Sequence, residues 1–327
     1  MKYLMQPYDD ALSYILKHGI KKANRTGVGT ISVAGIQSKY DLTTEYFPIV
    51  TKRKLFPKSV FAELLWFISG STMNQDLEAL GAKFWGKWCD ENNPTYVKFR
   101  KKWGYEPGDF GPIYGWQLRH FGADYIEYRR LQKLKKRLEN GESIYSPYGA
   151  PMNIDDVKLE IDVIISKGFD QLSFMVDTLK NDPYGPNGRR CLFSLWNPND
   201  LPKMALPPCH YTYQAIADGD GGLTGILTQR SCDFPVGVPA NIQFYSALTI
   251  MLAQQCGFKP KEFIHNTSDS HIYLNQIEQV EEYLSRPAIV SPKLIINKAS
   301  DIYSYKIENF VLSEYNPAEK IDIAVSV

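Results

Sequence analysis

The stretch MALPPCHYTYQAIADGDGGLTGILTQR, Met204 to Arg230, decides the reading of this chain. Its second part places apolar and polar residues on either side of a Gly/Asp turn, which predicts two strands joined as a hairpin. Its first part sets Cys209 between two prolines and a histidine at the mouth of the first strand. Free cysteines are commonly small apolar fillers. Two prolines, however, fix the backbone and remove amide donors, and a thiol held in one position suits a nucleophile. On this stretch alone both readings stand.

The rest of the chain sets the frame. Its 327 residues, 44% hydrophobic and 22% charged, have the composition of a globular protein. A chain of this length buries a sizeable core without staples. The net charge of +1 gives no global field to draw nucleic acid or a membrane surface. The basic runs KFRKKW (98–103) and RRLQKLKKR (129–137) read as solvated helix faces. Five scattered cysteines (Cys89, Cys191, Cys209, Cys232, Cys256) lack metal-site spacing, and the five histidines are dispersed, so no metal is expected. No apolar run has the length of a membrane span, and the start lacks a signal-like segment. The expectation is a soluble, reduced, cytoplasmic protein.

Leu12, Ile15, Leu16 and Ile20 recur at helical spacing and predict a helix over 8–22. Ile31, Val33 and Ile36 predict a strand, with a second around 38–42. PKSVFAELLWFISG (57–70) opens on proline and closes on glycine, as helices do. ANIQFYSALTIMLAQQCG (240–257) reads as a long apolar helix ended by Gly257. Strands and helices mix without a regular βαβ rhythm, in one α/β domain over 1–327. Residues 93–110 and 135–168 look like insertions; the second contains a turn-rich link between two charged helical patterns.

Basic residues at turns can grip a phosphate. Arg25 lies in NRTGVGT, where glycines let the backbone approach an anion. Arg189 and Arg190 follow DPYGPNG, and Arg230 is followed by the hydroxyl donor Ser231. Arginine suits the task because its planar fork makes paired bonds to phosphate oxygens.

ELLWF (63–67), GPIYGWQLRHFGADY (111–125), MALPPCHYTYQ (204–214), QRSCD (229–233), GVPANI (237–242) and SDSHIYLNQIE (268–278) resemble, in order, the signature blocks of the thymidylate synthase family. The likeness runs from about Leu12 to the C-terminal YNPAEKIDIAVSV, interrupted mainly by the two insertions. It implies a fold of the α+β type, one large mixed β-sheet flanked by helices, and a homodimer packed sheet to sheet. The implied reaction transfers a one-carbon unit from 5,10-methylenetetrahydrofolate, a co-substrate, to C5 of dUMP, with no metal. Cys209 then matches the nucleophile that adds to C6 of the pyrimidine, with Arg230 beside it expected to lower its pKa.

Glu63 matches the carboxylate that manages proton transfers, desolvated among Leu64, Leu65 and Trp66 and so raised in pKa. Asn241 matches the amide facing the pyrimidine O4, and Tyr114 and His210 match residues lining that site. Arg25, Arg189, Arg190, Arg230 and Ser231 match the phosphate grip, Arg189 and Arg190 reaching the partner subunit's nucleotide. His271 and Tyr273 match the pair on the sugar 3′-hydroxyl. Asp233 matches the acceptor from the pterin ring; Trp85, Leu206 and Gly237 match folate contacts, and Lys52 and Lys58 the glutamate tail.

The chain departs from the family pattern at several places. Ala240 stands where a phenylalanine usually packs on the folate, with Phe244 a candidate to compensate. Ser268 replaces a glycine, Gln276 replaces a histidine, and the tail runs past the usual ending as AVSV. An altered folate wall keeps an alternative alive, in which water replaces the hydride and 5-hydroxymethyl-dUMP is the product. Asn241 disfavours a cytidylate substrate, for which the related enzymes carry aspartate. A non-catalytic nucleotide- or RNA-binding homologue is disfavoured by the intact cysteine, glutamate, asparagine and arginines.

Overall fold

Gly19 ends the first helix earlier than its periodicity predicts. In a computed structural model, which describes residues 2–23, 27–146 and 148–325, α1 spans Gln6–His18. A Cβ on Gly19 would lie 2.5 Å from the Ile15 carbonyl oxygen, so only glycine lets the chain leave at that angle. Residues beyond it form β1 (Ile20–Lys22), antiparallel to β2 (Thr30–Asp41). The two strands expected near 31–36 and 38–42 are one: Gly35, at φ +73°, absorbs a local distortion without ending the pairing.

Helices follow as α2 (Pro57–Ser69), α3 (Asn74–Ala79), α4 (Pro94–Trp103), α5 (Tyr114–Arg119), α6 (Tyr125–Glu139), α7 (Ile154–Ser166) and α8 (Gln171–Asn181). In α2, proline occupies the first turn and Gly70 closes the end at φ +78°. Then come β3 (Leu192–Ser194), β4 (His210–Ala217), β5 (Gly222–Asp233), α9 (Gly237–Cys256), β6 (Lys259–Tyr273), α10 (Ile277–Ser285), β7 (Lys293–Ile296) and β8 (Phe310–Ser313).

Among the described residues the main sheet has the order β1-β2-β6-β5-β4-β3, and β7 and β8 form a separate pair. The expected hairpin is β4–β5. β5 and β6 run parallel, joined by α9, since parallel neighbours need a long crossover. On β5, Leu223, Gly225, Leu227 and Gln229 are buried while Thr224, Ile226, Thr228 and Arg230 are half-buried. One face therefore meets the helices and the other is left more open. α9 is apolar nearly all round because it is buried at the centre, next to β5, β6 and α2.

Residues of segments 93–110 and 135–168 join α5 and α6 in a second, smaller core. Phe99 and Trp103 of α4 pack against Tyr105, Trp116, Tyr125, Leu131 and Leu134, and Val157, Ile161 and Ile164 of α7 complete it. No helix among the described residues is long and apolar enough to cross a membrane.

Candidate active site

The Pro207–Pro208 pair has a second use besides stiffening the chain. Both carbonyls accept hydrogen bonds from Arg230, from Nη2 at 3.0 Å and Nε at 2.8 Å. This wraps the guanidinium around the turn and holds Nη2 3.9 Å from the Cys209 Sγ. The Cys209 backbone N–H donates to the Tyr114 hydroxyl at 2.9 Å. The thiol is therefore fixed from both sides, by α5 and by β5. Its pKa, however, is raised, contrary to the expectation from Arg230 alone. Burial disfavours the thiolate more than the arginine favours it. The resting group is a protonated thiol.

Glu63 lies inward on α2, buried, and its Oε1 accepts the Trp85 indole N–H at 2.5 Å. Burial raises its pKa to about 7, against the opposing pull of that hydrogen bond. A carboxyl so placed can give or take a proton near neutral pH. Tyr114 links it to the thiol: its ring stacks on Phe67 at 4.7 Å and meets Trp85 edge-on at 5.9 Å while its hydroxyl reaches Cys209. His210 stacks on Tyr114 and bonds the Tyr245 hydroxyl at 2.7 Å. Burial pushes its pKa to about 3, so it is neutral.

Asn241, near the start of α9, donates Nδ2 to the Gln229 Oε1 at 2.8 Å. Gln229 is oriented in turn: Nε2 donates to the Ser231 carbonyl, and Oε1 also bonds the His265 Nε2 at 2.9 Å. Because Gln229 faces Asn241 with an oxygen, Asn241 faces Gln229 with its NH2, and the direction of the amide is set. Gln229 was not singled out from sequence. Its signal was there in the β5 alternation, which puts a glutamine on the buried face, where it must be satisfied by partners.

The thymidylate synthase family model matches residues 6–327. Thymidylate synthase of Homo sapiens is 40% identical over 321 residues, covering 98% of this chain and 90% of that protein. Thymidylate synthase of Equine herpesvirus 2 (strain 86/87) is 38% identical over 322 residues, 98% of this chain and 97% of that one. The bifunctional dihydrofolate reductase-thymidylate synthase of Zea mays is 37% identical over 321 residues, which make up 54% of its length. The chain belongs to the thymidylate synthase family.

The remaining residues singled out from the family likeness fall around this centre or away from it. Asp233 ends β5 with His271 beside it in register on β6, and burial raises the aspartate's pKa to about 6. His271 bonds the Asp269 carbonyl through Nδ1 at 3.2 Å and meets Tyr273 edge-on. Ser231 lies half-buried on β5, its carbonyl held by Gln229. Trp85 is buried between Trp66 and Phe110, and Leu206, half-buried, precedes the two prolines. Gly237 opens α9, and Ala240 is half-buried one turn before Phe244. The Phe244 ring packs edge-on to Phe67 at 5.1 Å inside the core.

Arg189 and Arg190 sit exposed on a 3-10 turn, Gly188–Arg190, just before the edge strand β3, and line a surface hollow with Tyr184 and Pro186. Arg25 lies outside the described residues. Lys58 is exposed at the start of α2. Lys52 is buried, and its Nζ pairs with Asp9 at 2.9 Å, over the Tyr283 ring. Its charge is committed internally, because a buried ammonium needs a partner. Arg53, not singled out from sequence, is also buried and donates Nη2 to the Pro235 carbonyl at 2.6 Å, close enough to Asp233 to lower its pKa. No group of three His, Cys, Asp or Glu among the described residues could hold a metal.

Proposed function

We propose that the site converts dUMP and 5,10-methylenetetrahydrofolate to thymidylate and dihydrofolate, with Cys209 as nucleophile. The observation that carries this reading is Tyr114, which touches the Cys209 amide and packs on the indole that holds Glu63. A thiol and a carboxyl titrating near neutrality are thus joined through Tyr114 and Trp85, and Asn241 of α9 adds an oriented amide.

The thiol loses its proton as Sγ adds to C6 of the pyrimidine, which makes C5 nucleophilic as an enolate. Arg230 stabilises the sulfur as it ionises, and the second Asn241 N–H is available to the developing charge on O4. C5 takes the methylene of the folate, loses its proton, and the folate leaves the exocyclic methylene behind. Hydride from the resulting tetrahydrofolate reduces that methylene, the Cys209–C6 bond breaks, and dihydrofolate departs. Glu63 serves the proton transfers on the pyrimidine, for which a pKa of about 7 suits both directions. Asp233 and Trp85, with Leu206 and Gly237, form the folate side, and His271 and Tyr273 the sugar side.

The whole chain acts as one catalytic domain, cytoplasmic, and pairs with a second copy across the open sheet face. Support comes from the half-buried Ile226 and Ile264 and the exposed Ile216 on that face. Arg189 and Arg190 complete the phosphate grip of the partner's site with Arg25, Arg230 and Ser231. The test is to incubate the protein with dUMP and 5,10-methylenetetrahydrofolate and identify both products by mass and absorbance. Thymidylate with dihydrofolate is expected; no nucleotide product would overturn the reading. Mixing inactive Arg189→Ala and Cys209→Ser proteins should restore activity, and no recovery after verified subunit exchange would show that each site is built from one chain.

A further inference from the structure

Gln276 stands where the family pattern has histidine, and it is fully buried with every polar atom engaged. Its Nε2 donates to the Ala324 carbonyl at 2.7 Å and lies 3.4 Å from each oxygen of Asp233. Its Oε1 accepts from the Tyr273 backbone N–H at 3.0 Å. The C-terminal strap it holds is tied down at further points. The Ala318 N–H donates to the Thr51 carbonyl at 2.8 Å, Arg286 Nη1 donates to the Glu319 carbonyl at 2.5 Å, and Ile321 is buried. Towards its end the strap has neither charge nor ring to anchor it, and Gln276 meets it there.

We propose that Gln276 is a positioning residue that couples the closed C-terminal strap to the folate-facing carboxylate Asp233. The inference rests on the folate reading of Asp233 given above. An amide suits this three-way junction because it offers two N–H donors and one acceptor oxygen. One hydrogen serves the strap, the other serves the carboxylate, and the oxygen holds the strand end that leads into the sugar side. An imidazole has two ring nitrogens and cannot serve all three partners at once. Opening the strap removes the shorter of the two bonds that hold the amide nitrogen, so the hydrogen aimed at Asp233 is less well oriented, and folate binding and strap closure favour each other.

The separating variant is Gln276→Glu, which keeps an oxygen for the Tyr273 amide but turns the donor towards Ala324 and Asp233 into a second oxygen. Tetrahydrofolate should bind the Gln276→Glu–dUMP complex about tenfold more weakly than the unmodified complex, while dUMP alone binds within twofold of normal. Carboxypeptidase should release residues through Ala324 several-fold faster with no ligand present. Gln276→His should fall between the two. In a chain ended at Ile323, Gln276→Glu should weaken tetrahydrofolate binding several-fold less than in the full chain, since the strap partner is already gone and only the contact with Asp233 is altered; an equal loss in both chains would overturn the coupling. Equal weakening of dUMP and tetrahydrofolate, or an unchanged rate of C-terminal release, would overturn the proposal. If Gln276→Glu does not fold, the truncated chain and Gln276→His carry the same test: full tetrahydrofolate affinity in both, with unchanged C-terminal release from Gln276→His, would overturn it. Strap release is read without turnover, so an unmodified protein that made no thymidylate would sink the functional reading separately.

Discussion

Two buried carboxylates mark two regions of this molecule, and their surroundings differ. Glu63, joined to Cys209 through Trp85 and Tyr114, is held by the Trp85 indole. Asp109, fully buried where the helical appendage joins the body, accepts from the Arg129 Nε at 2.8 Å, the Gly111 N–H at 2.9 Å and the Tyr125 hydroxyl. Burial raises the pKa of both. Asp109 is surrounded by a cation and neutral donors that bind its charge in place, so it ties Tyr125 and Arg129 of α6 to the loop before α5. Glu63 has one neutral donor and stays near the point where a proton is easily moved. Depth of burial does not separate a structural carboxylate from a chemical one; the number and charge of its partners do.

The comparison can be broken in order of effect. Cys209→Ser, linked to Glu63 through Tyr114 and Trp85, should lower turnover by roughly a thousandfold or more, at least about 4 kcal/mol on the barrier, while dUMP still binds. Substantial turnover in the serine protein would remove the nucleophile and with it the chemical half of the contrast. Asp109→Asn should leave turnover per folded molecule unchanged and cost about 1–3 kcal/mol in urea unfolding, because the buried acceptor of Arg129, Gly111 and Tyr125 loses its charge while Glu106 still pairs with Arg129. A loss of activity without loss of stability would mean that the assignments of the two carboxylates are reversed.

Glu63→Gln should do the opposite, cutting kcat by about 10²–10⁴. Its effect on stability has a predicted sign. The folded pKa, about 7, lies above the ordinary value of 4.5, so the native state holds the proton more tightly than the unfolded chain. The contribution of Glu63 to stability is then fully present below about pH 4.5 and lost as pH rises through about 7. Between these limits the glutamine variant should gain on the unmodified protein by on the order of 3 kcal/mol. Parallel stability curves for the two proteins would refute the raised pKa.

Trp85→Phe sharpens the contrast by removing the donor on Glu63. The carboxyl pKa should climb further, by roughly one to two units if the bond is worth about 1.5–3 kcal/mol. Carbon-13 NMR titration of Glu63 in the resting protein reads it directly, and a downward shift would contradict the hydrogen bond. The smallest effect concerns the folate side. The unmodified enzyme should release some 5-hydroxymethyl-dUMP beside thymidylate, and Ala240→Phe should cut that share about tenfold, a difference of about 1.4 kcal/mol between competing barriers. Thymidylate as the only product of both proteins would make Ala240 a neutral packing variant.

Much of this was legible in the linear chain. The alternation on either side of the Gly/Asp turn identified the β4–β5 hairpin, and proline and glycine bounded α2, because these signals act through neighbours in sequence. The thiol, the acid and the amide were named from short blocks with local spacing. β2 was read as two strands, near 31–36 and 38–42, because the pairing with β6 that carries one strand through Gln37 comes from residues far along the chain. The length of α1 was overestimated because hydrophobic spacing continues to Ile20, whereas the close approach at Gly19 depends on the carbonyl one turn before.

Sequence by itself thus determined the family, the β4–β5 hairpin, α2 and α9, and named the candidate reacting groups, since each is written in residue type and short-range spacing. Only the tertiary structure decided the state of those groups. Cys209 was expected to be acidified by Arg230, yet burial from several elements outweighs one cation. Lys52 was expected to face a ligand, yet Asp9, 43 positions away, claims its charge. Gln229 and Gln276 became visible as orienting groups only once β5, β6, α9 and the C-terminal strap were brought together. The physical reason is the same in each case: desolvation and hydrogen-bond satisfaction are properties of everything that surrounds a group, and most of those surroundings are distant in the chain.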